Sequence, residues 1–556
     1  MSSNQPEKNY RSRPWLSQYA DGDPADIEPE FATMLDAWQA ARKGYPDLAV
    51  LQYFDRDITM RELDGLSDAF AAGLLDAGVA AGDRVALYLQ NMPQYAIALL
   101  AIWKCGAVAA SVNPMNRQRE LKTLLNDCGA KAIVCLQSLY PIVSDVLAEV
   151  PTELIITTSE LRYQTENDPR IFAASTDVRP VDGLDMEELI AAHEGQRSPS
   201  VTLTGNDPAV LTYTSGTTGV PKGAINTHGN LAFNAAQTEA WTEQYDDQAI
   251  LAIAPFFHVT GLVVHLAIAM AIPARLCMTF RFHPVVAAEQ IAQKRLTTTV
   301  APITAFIAMM NTPDVHAEQL ASMRTISSGG APVAPQTIVR FQERFGHQIK
   351  VGYGLTETSS TSHTAPRDKP SRVDIDSGSV SVGVPVFNTF CVVVDERDDP
   401  VAPREVGEIL IAGPQVVPAY WNKPEETEAS FVDGFLRTGD VGFMDPEGWF
   451  YVVDRKKDMI SASGYKVWPR EVEDVLYSHP AVREAAVVGI PDDYRGETVK
   501  AVISLNEGAS VTPEEIIDFC RSQMATYKYP RVVQIIDEVP KNASGKILRR
   551  ELRDHS

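Results

Sequence analysis

The sequence predicts an α/β protein with a large N-terminal domain of stacked α/β sheets, a small β-rich subdomain, and a small α+β C-terminal domain. Three observations carry this. Apolar runs of strand length alternate with amphipathic stretches over most of the chain. Near residue 380 the texture shifts to short alternating runs punctuated by Gly and Pro. The acidity behind the formal charge of -23 stops at residue 453, because residues 454–556 hold 16 Lys+Arg against 17 Asp+Glu. A chain of 556 residues also exceeds one core, at about 100–200 residues per domain.

Taken in order, the first thirty-odd residues are polar and read as an arm or surface wrap. Residues 85–89 and 130–135 read as strands, and 95–103 and 120–125 as helices, the rhythm of a parallel sheet with covering helices. Residues 160–207 are polar, acidic and strand-poor, a surface excursion. Buried strands resume at 210–213, 249–253 and 297–301. The apolar stretch 259–273 is interrupted by His265 and closed by Pro273, too short to span a bilayer, so it reads as a buried helix. Residues 390–394, 407–411 and 449–453 are the strands of a subdomain over about 380–453. The charge break sets the expected division at 1–453 and 458–556, with 454–457 between them.

Composition narrows the function classes. A hydrophobic fraction of 45% and a charged fraction of 22% exclude wholesale disorder and fibrous structure. The acidic field repels nucleic acid and anionic lipid, so a polyanionic ligand requires a local reversal of that field. Six cysteines lie scattered without CxxC or metal-like spacing, which gives a reduced, cytoplasmic compartment as the expectation. The N-terminus has no apolar core of a secretory signal.

Residues 212–223, TYTSGTTGVPKG, follow an apolar run. Such a strand-to-loop passage offers hydroxyls and unhindered backbone N–H groups to phosphate oxygens, and Lys222 adds positive charge. The GxxxxGK[ST] template does not fit, since Pro221 stands where its second glycine belongs and Gly223 follows the lysine. Taken alone, such a stretch reads more readily as a glycine-rich surface turn. The block, however, resembles the phosphate-loop signature of the acyl-adenylate-forming enzymes, which include acyl-CoA synthetases, adenylation domains and firefly-type luciferases. Further blocks follow in that family's order: residues 254–261 (APFFHVTG), 328–332 (SGGAP), 352–358 (GYGLTET), 437–440 (RTGD), 454–464 (DRKKDMISASG) and 540–546 (PKNASGK). The resemblance spans roughly residues 30–553.

The resemblance implies activation of a carboxylic acid by ATP, with Mg²⁺, and transfer of the acyl group to CoA. It assigns the ATP/AMP site to Thr214, Ser215, Gly216, Thr217, Thr218, Gly219 and Lys222, with Gly329, Gly330, Ala331, Tyr353, Gly354, Asp440 and Arg455. A carboxylate brought against an anionic α-phosphate needs its repulsion cancelled, and Lys546 is the expected bridging charge. Glu357 is the expected Mg²⁺ ligand, a hard oxygen for a hard ion. Thr356 would donate to the α-phosphate, Tyr353 would stack on adenine, and Asp440 would accept the ribose hydroxyls. Each has a plainer reading: solvated lysine, core aromatic, turn aspartate.

The run 454–458 reads either as a solvated charged turn or, by the resemblance, as a hinge at Lys457 on which a mobile C-terminal domain swings between two half-reactions. In the second of these, Ser463, Gly464 and Tyr465 would line the CoA path. His258 is a gate beside the nascent acyl phosphate or a packed core histidine. After it, Val259, Leu262 and Val263 are the expected acyl-pocket residues. Phe257-His258 stands where amino-acid-activating relatives place an acidic residue, which disfavours a free amino acid, whose ammonium would lack a partner.

Residues 413–421, 454–460 and 545–552 resemble bacterial long-chain fatty-acid–CoA ligases most. The expected substrates are therefore a medium- to long-chain fatty acid, ATP and CoA, with no nucleic acid. An aryl or other carboxylate, a carrier protein loaded in trans, and a non-catalytic acyl or nucleotide sensor remain as rivals. A homodimer and peripheral membrane contact are both compatible with the sequence.

Overall fold

The computed structural model describes residues 10–175, 183–214, 221–242, 247–375, 378–455, 458–462, 465–492, 496–542 and 546–553. Two large sheets dominate. In the seven-stranded sheet the strands run Leu184–Asp185, Leu154–Thr158, Ala130–Leu136, Arg84–Tyr88, Val108–Ser111, Pro208–Thr214 and Lys222–Thr227. All neighbours are parallel except the last pair, an antiparallel hairpin that flanks the predicted phosphate loop.

The nine-stranded sheet has a parallel centre of Ile349–Leu355, Thr325–Ser328, Thr298–Ala301, Ala249–Ala252, Arg275–Met278 and Ala49–Tyr53. Antiparallel strands close both edges. Helix Pro93–Lys104 is buried on every side. A helix apolar all round can only sit inside, and here its residues belong to the core shared by both sheets. Its last residue, Lys104, is tolerated there because Asp64 and Asp68 each accept from its Nζ at 2.8 Å.

Beyond residue 385 a five-stranded antiparallel sheet contains Phe390–Val394, Gly407–Ala412, Phe435–Met444 and Phe450–Arg455. The C-terminal sheet, also five-stranded, is built on the pair Val482–Asp492 and Gly496–Leu505, and has its own apolar core. The sequence strands thus fall within a residue or two of the observed ones, and residues 160–207 hold only short elements.

Two expectations change in detail. Residues 1–9 of the polar N-terminal arm lie outside the described residues, and the part that follows is anchored by buried aromatics that a polarity count hides: Trp15 meets Phe450 edge-on and Tyr19 meets Trp241 and Phe387. The buried helix after residue 259 begins as a π-helical segment, Gly261–Ala267, before continuing as α-helix Ile268–Ala271. Glycine is required at its start, because a Cβ on Gly261 would stand 2.2 Å from the Pro255 carbonyl oxygen. Among the described residues no helix is long and apolar enough to cross a membrane, and all six cysteines are buried and unpaired.

Candidate active site

A cavity of about 1050 Å³ lies on one face of the nine-stranded sheet. Alternate residues on neighbouring parallel strands, paired in register, form its floor: Ile250, then Thr298 and Val300, then Thr325 and Ser327, then Lys350 and Gly352. That spacing follows from the two-residue side-chain period of a strand. Helix His228–Trp241 adds Gln237, Thr238 and Trp241 to the wall.

The cavity therefore runs lengthwise along the strands. At their C-terminal ends it reaches Gly329, Gly330, Tyr353, Gly354, Thr356 and Glu357, and at their N-terminal ends Gln248, Arg324 and Gln348. From Gln248 to Ala254 the floor is about 20 Å long at ~3.3 Å per residue. Ligands of parallel α/β sheets bind outside the carboxyl ends of the strands, and the chemistry-bearing residues gather at that end.

There the hydrogen bonds are made by side chains from distant parts of the chain. Tyr353 donates its hydroxyl to Asp440 Oδ2 at 2.7 Å, and Arg455 Nε holds Asp440 Oδ1 at 3.1 Å. Burial and the Asp440 charge hold the Tyr353 phenol well above its usual range, so it remains a donor. Asp440 and Arg455 face each other across paired antiparallel strands, which fixes their meeting. Arg455 lines the cavity, while Asp440, 3% exposed, sits just behind it.

Tyr420 donates to Glu357 Oε1 at 2.6 Å, and burial with the Glu357 charge likewise pushes its phenol up. Lys222 Nζ lies over the Tyr420 ring, 5.3 Å from its centre. Asn226 fixes the backbone beneath, donating to the Thr356 carbonyl at 3.1 Å and to Ser359 Oγ at 2.9 Å. Gly354 admits the returning strand, since a Cβ there would lie 1.6 Å from the Ser360 carbonyl oxygen.

Lys546 enters the same end from the C-terminal part. Lys546 is tied to Asn542, whose Oδ1 accepts from the Lys546 N–H at 2.9 Å and whose N–H donates to the Lys546 carbonyl at 2.8 Å. His258 also lines the cavity, within reach of the Lys546 charge. Burial, reinforced by the Lys546 charge, lowers its imidazole to about 4, so it is neutral near pH 7. The Thr260 N–H donates to Nδ1 at 3.3 Å, which leaves the proton on Nε2.

The structure thus brings Thr214, Lys222, His258, Val259, Gly329, Gly330, Tyr353, Gly354, Thr356, Glu357, Arg455 and Lys546 around one cavity. Ala331 follows just outside the lining. Leu262 and Val263 pack into the core, and Val264 and Ile268 face the cavity with Val259. The wide π turn sets this spacing, and a stretch apolar on all sides gave no periodic signal to reveal it. Ser215, Gly216, Thr217, Thr218, Gly219, Lys457, Ser463 and Gly464 lie outside the described residues, and of Tyr465 only the backbone, in strand Tyr465–Val467, is described. Sequence reasoning missed Tyr420, Asn226 and Asn542. Tyr420 and Asn542 lie inside blocks already singled out, and Asn226 follows the phosphate loop by a few residues.

Comparison with known proteins agrees with this geometry. The AMP-binding enzyme family profile matches residues 37–421, and the profile of the AMP-binding enzyme C-terminal domain matches residues 471–546. A long-chain-fatty-acid–CoA ligase of Bacillus subtilis strain 168 is 34% identical over 560 residues, covering 97% of each chain. Among solved structures, ATP-bound MatB from Rhodopseudomonas palustris superposes with a TM-score of 0.83 at 26% identity, over 94% of this chain and 98% of that one. An anthranilate CoA ligase, AuaEII, in complex with anthranoyl-AMP gives 0.83 at 25%, over 95% and 97%. The chain belongs to the AMP-binding enzyme family.

Proposed function

We propose that this protein is an ATP-dependent, AMP-forming acyl-CoA ligase, an acid–thiol ligase, acting on a medium- to long-chain fatty acid. The observation that carries the reading is the shape of the cavity: a cluster able to handle phosphate and carboxylate at one end, opening onto about 20 Å of sheet face. At about 1.3 Å of advance per carbon in a zigzag of ~1.5 Å bonds, that length accommodates an acid of on the order of fifteen carbons.

In the first step a carboxylate oxygen attacks the α-phosphorus of ATP, forming acyl-AMP as the bond to pyrophosphate breaks. Lys546 offsets the charge of the crowded oxygens, and Thr356 donates to the α-phosphate. Neutral His258, with its Nε2 proton, can donate to the acyl oxygen without adding a second full charge beside Lys546. Tyr353 and Gly329–Gly330 accept the adenine, and Asp440, held by Arg455, accepts the ribose hydroxyls. In the second step the CoA sulfur attacks the acyl carbonyl, the thioester forms, AMP leaves, and the thiol proton passes to solvent.

The donor set fits Mg²⁺. Among the described residues no group of three or more His, Cys, Asp or Glu could hold a metal by itself, whereas Glu357 is a carboxylate at the cavity wall oriented by Tyr420. Mg²⁺ is characteristically held by one or two carboxylates together with substrate phosphates. When bound, it supplies charge neutralisation of the phosphates.

The two steps share one site through a hinge at residues 454–457 around Lys457. The domain of residues 458–556 would present Lys546 for the first step, then Ser463, Gly464 and Tyr465 along the CoA path for the second, against a large domain of residues 1–453. The separate C-terminal core and the near-neutral charge of this module support that division. Six buried, unpaired cysteines support action in a reduced cytoplasm.

The test is incubation with ATP, Mg²⁺, CoA and a graded panel of aliphatic and aromatic acids, following AMP and acyl-CoA. Release of ADP in place of AMP and pyrophosphate overturns adenylation. Preference for aromatic acids, or for a phosphopantetheinylated carrier over CoA, selects the rival substrate or acceptor.

A further inference from the structure

Three residues beyond Lys546 the chain enters the short helix Arg549–Arg553. The half-buried Arg549 guanidinium donates to Glu473 Oε1 at 2.6 Å and stands 3.7 Å from both Asp454 Oδ1 and Asp458 Oδ2. Arg553 adds a 3.0 Å bond to Asp458. Asp458 and Glu473 belong to the C-terminal part and travel with Arg549 in any swing about the hinge. Asp454 does not. It lies in strand Phe450–Arg455, paired to the strand that carries Asp440.

Asp454 makes a second crossing contact. Its Oδ2 accepts at 3.0 Å from the N–H of Arg470, in the first turn of helix Pro469–Tyr477, whose own cap residue Trp468 gives no side-chain bond. A carboxylate at the start of the hinge, still within the strand Phe450–Arg455 of the large part, thus satisfies an orphan donor of that helix at the positive end of its dipole. One side chain ties the large part both to a supporting helix and to the segment that follows Lys546.

We propose that Asp454 and Arg549 form a latch that holds Lys546 in the cavity for adenylation and must open before thioester formation, making both positioning residues for the first half-reaction. The inference rests on the two-step, hinged reading above. It adds a named pair whose charge sets the balance between the two positions.

The latch is pH-sensitive in a defined direction. Burial raises the Asp454 carboxyl to about 6, against the attraction of Arg549. The groups facing it are the Arg455 N–H on its own strand, the Arg470 N–H and Glu473 on helix Pro469–Tyr477, and Arg549 on the terminal helix. Just beyond stand Asp474, paired with Arg470, and Asp458, paired with Arg553. Above pH about 6 the carboxylate is charged and the latch is intact. As pH falls through 6 Asp454 gains a proton and its ion pair with Arg549 is lost.

The half-reactions separate the possibilities. Pyrophosphate–ATP exchange reads adenylation, and acyl-CoA formation from supplied acyl-AMP reads the second step. Asp454→Asn keeps size and capping ability but removes the charge. It should lower exchange about tenfold, the weight of one charge-assisted contact, while leaving the second step equal or faster. Arg549→Gln should act in the same direction, Arg549→Lys should recover part of the loss, and the double variant Asp454→Asn/Arg549→Gln should fall no further than the worse single one. The acid limb of wild-type exchange near pH 6 should disappear in Asp454→Asn. Equal loss in both half-reactions, additive effects in the double variant, or unchanged exchange in Asp454→Asn overturns the latch. Wild-type protein without exchange for any acid overturns the activity itself, so the two failures are distinguishable.

Discussion

If the sheet face is the acyl path, a plug placed along it should act as a ruler. Val300 and Thr298 are half-buried, line the cavity and lie on one strand two residues apart. Thr298 pairs with Ile250, and Thr299 with Leu251, so Val300 is level with Ala252. Measured from Ala254, beside the catalytic end, Val300 is about 7 Å and Thr298 about 13 Å down the channel at ~3.3 Å per residue. Val300→Phe should therefore leave room for about five carbons and Thr298→Phe for about ten, at ~1.3 Å per carbon. Each methylene denied burial forfeits about 0.8 kcal/mol, so an acid with four methylenes beyond the plug should lose about 3 kcal/mol, roughly 200-fold in kcat/KM. Acids shorter than the plug should react at rates near the unmodified enzyme's. The assay is acyl-CoA formation across an even-numbered series of acids. Two variants that keep the wild-type chain-length profile would refute the channel, and a uniform loss at every length would show that the plugs disturb the catalytic end instead.

Other perturbations address single side chains. Lys546→Ala should depress adenylation by about 10²–10³, the usual weight of a preorganised charge stabiliser, with the thioester step from supplied acyl-AMP largely kept. Equal loss in both steps would contradict a lysine that serves only one. Tyr420→Phe removes the 2.6 Å bond that orients Glu357, and should raise the Mg²⁺ concentration for half-maximal rate severalfold at nearly constant maximal rate. An unchanged metal titration would remove Tyr420 from that role. Because His258 is held down to about 4, it stays neutral from pH 5.5 to 8. Wild type and His258→Gln should share one profile shape over that range, and an inflection near 6.5 lost only in the variant would refute a neutral His258.

Much of the fold was legible because its inner strands are apolar runs of the right length between helical patterns, as parallel sheets buried on both faces require. That Thr356, Glu357, Arg455 and Lys546 would gather at one cavity was legible too, since they lie in contiguous blocks whose residue types suit the proposed chemistry. What failed to show was three-dimensional pairing. Nothing near Glu357 in sequence announces Tyr420, 63 residues on, and Asp440 gives no sign that Tyr353 will bond to it. The cavity wall after His258 was not legible for a different reason. Residues 259–268 are mostly apolar, so their sequence carries no face, and only the π-helical turn decides that Val264 and Ile268 look inward while Leu262 and Val263 do not. The buried aromatics of the N-terminal arm were hidden by averaging, since Trp15 and Tyr19 are few among many polar neighbours.

Charge adds a last link between nucleotide binding and domain position. In a chain of net charge -23, a cation meant for phosphate must be held in place against competing carboxylates. Here one such competitor is made part of the site: Asp440 fixes Arg455 at 3.1 Å, so the guanidinium is oriented before a nucleotide arrives and needs no reorganisation afterwards. The next residue back along the same strand is Asp454, opposite Val441, while Arg455 stands opposite Asp440. The proposed ribose contact and the proposed latch are therefore successive positions of one antiparallel pair. A nucleotide that draws on Asp440 and Arg455 steadies the strand from which Asp454 reaches the C-terminal helices. On the proposed reading, ATP occupancy and retention of Lys546 in the cavity would then reinforce each other during the first half-reaction.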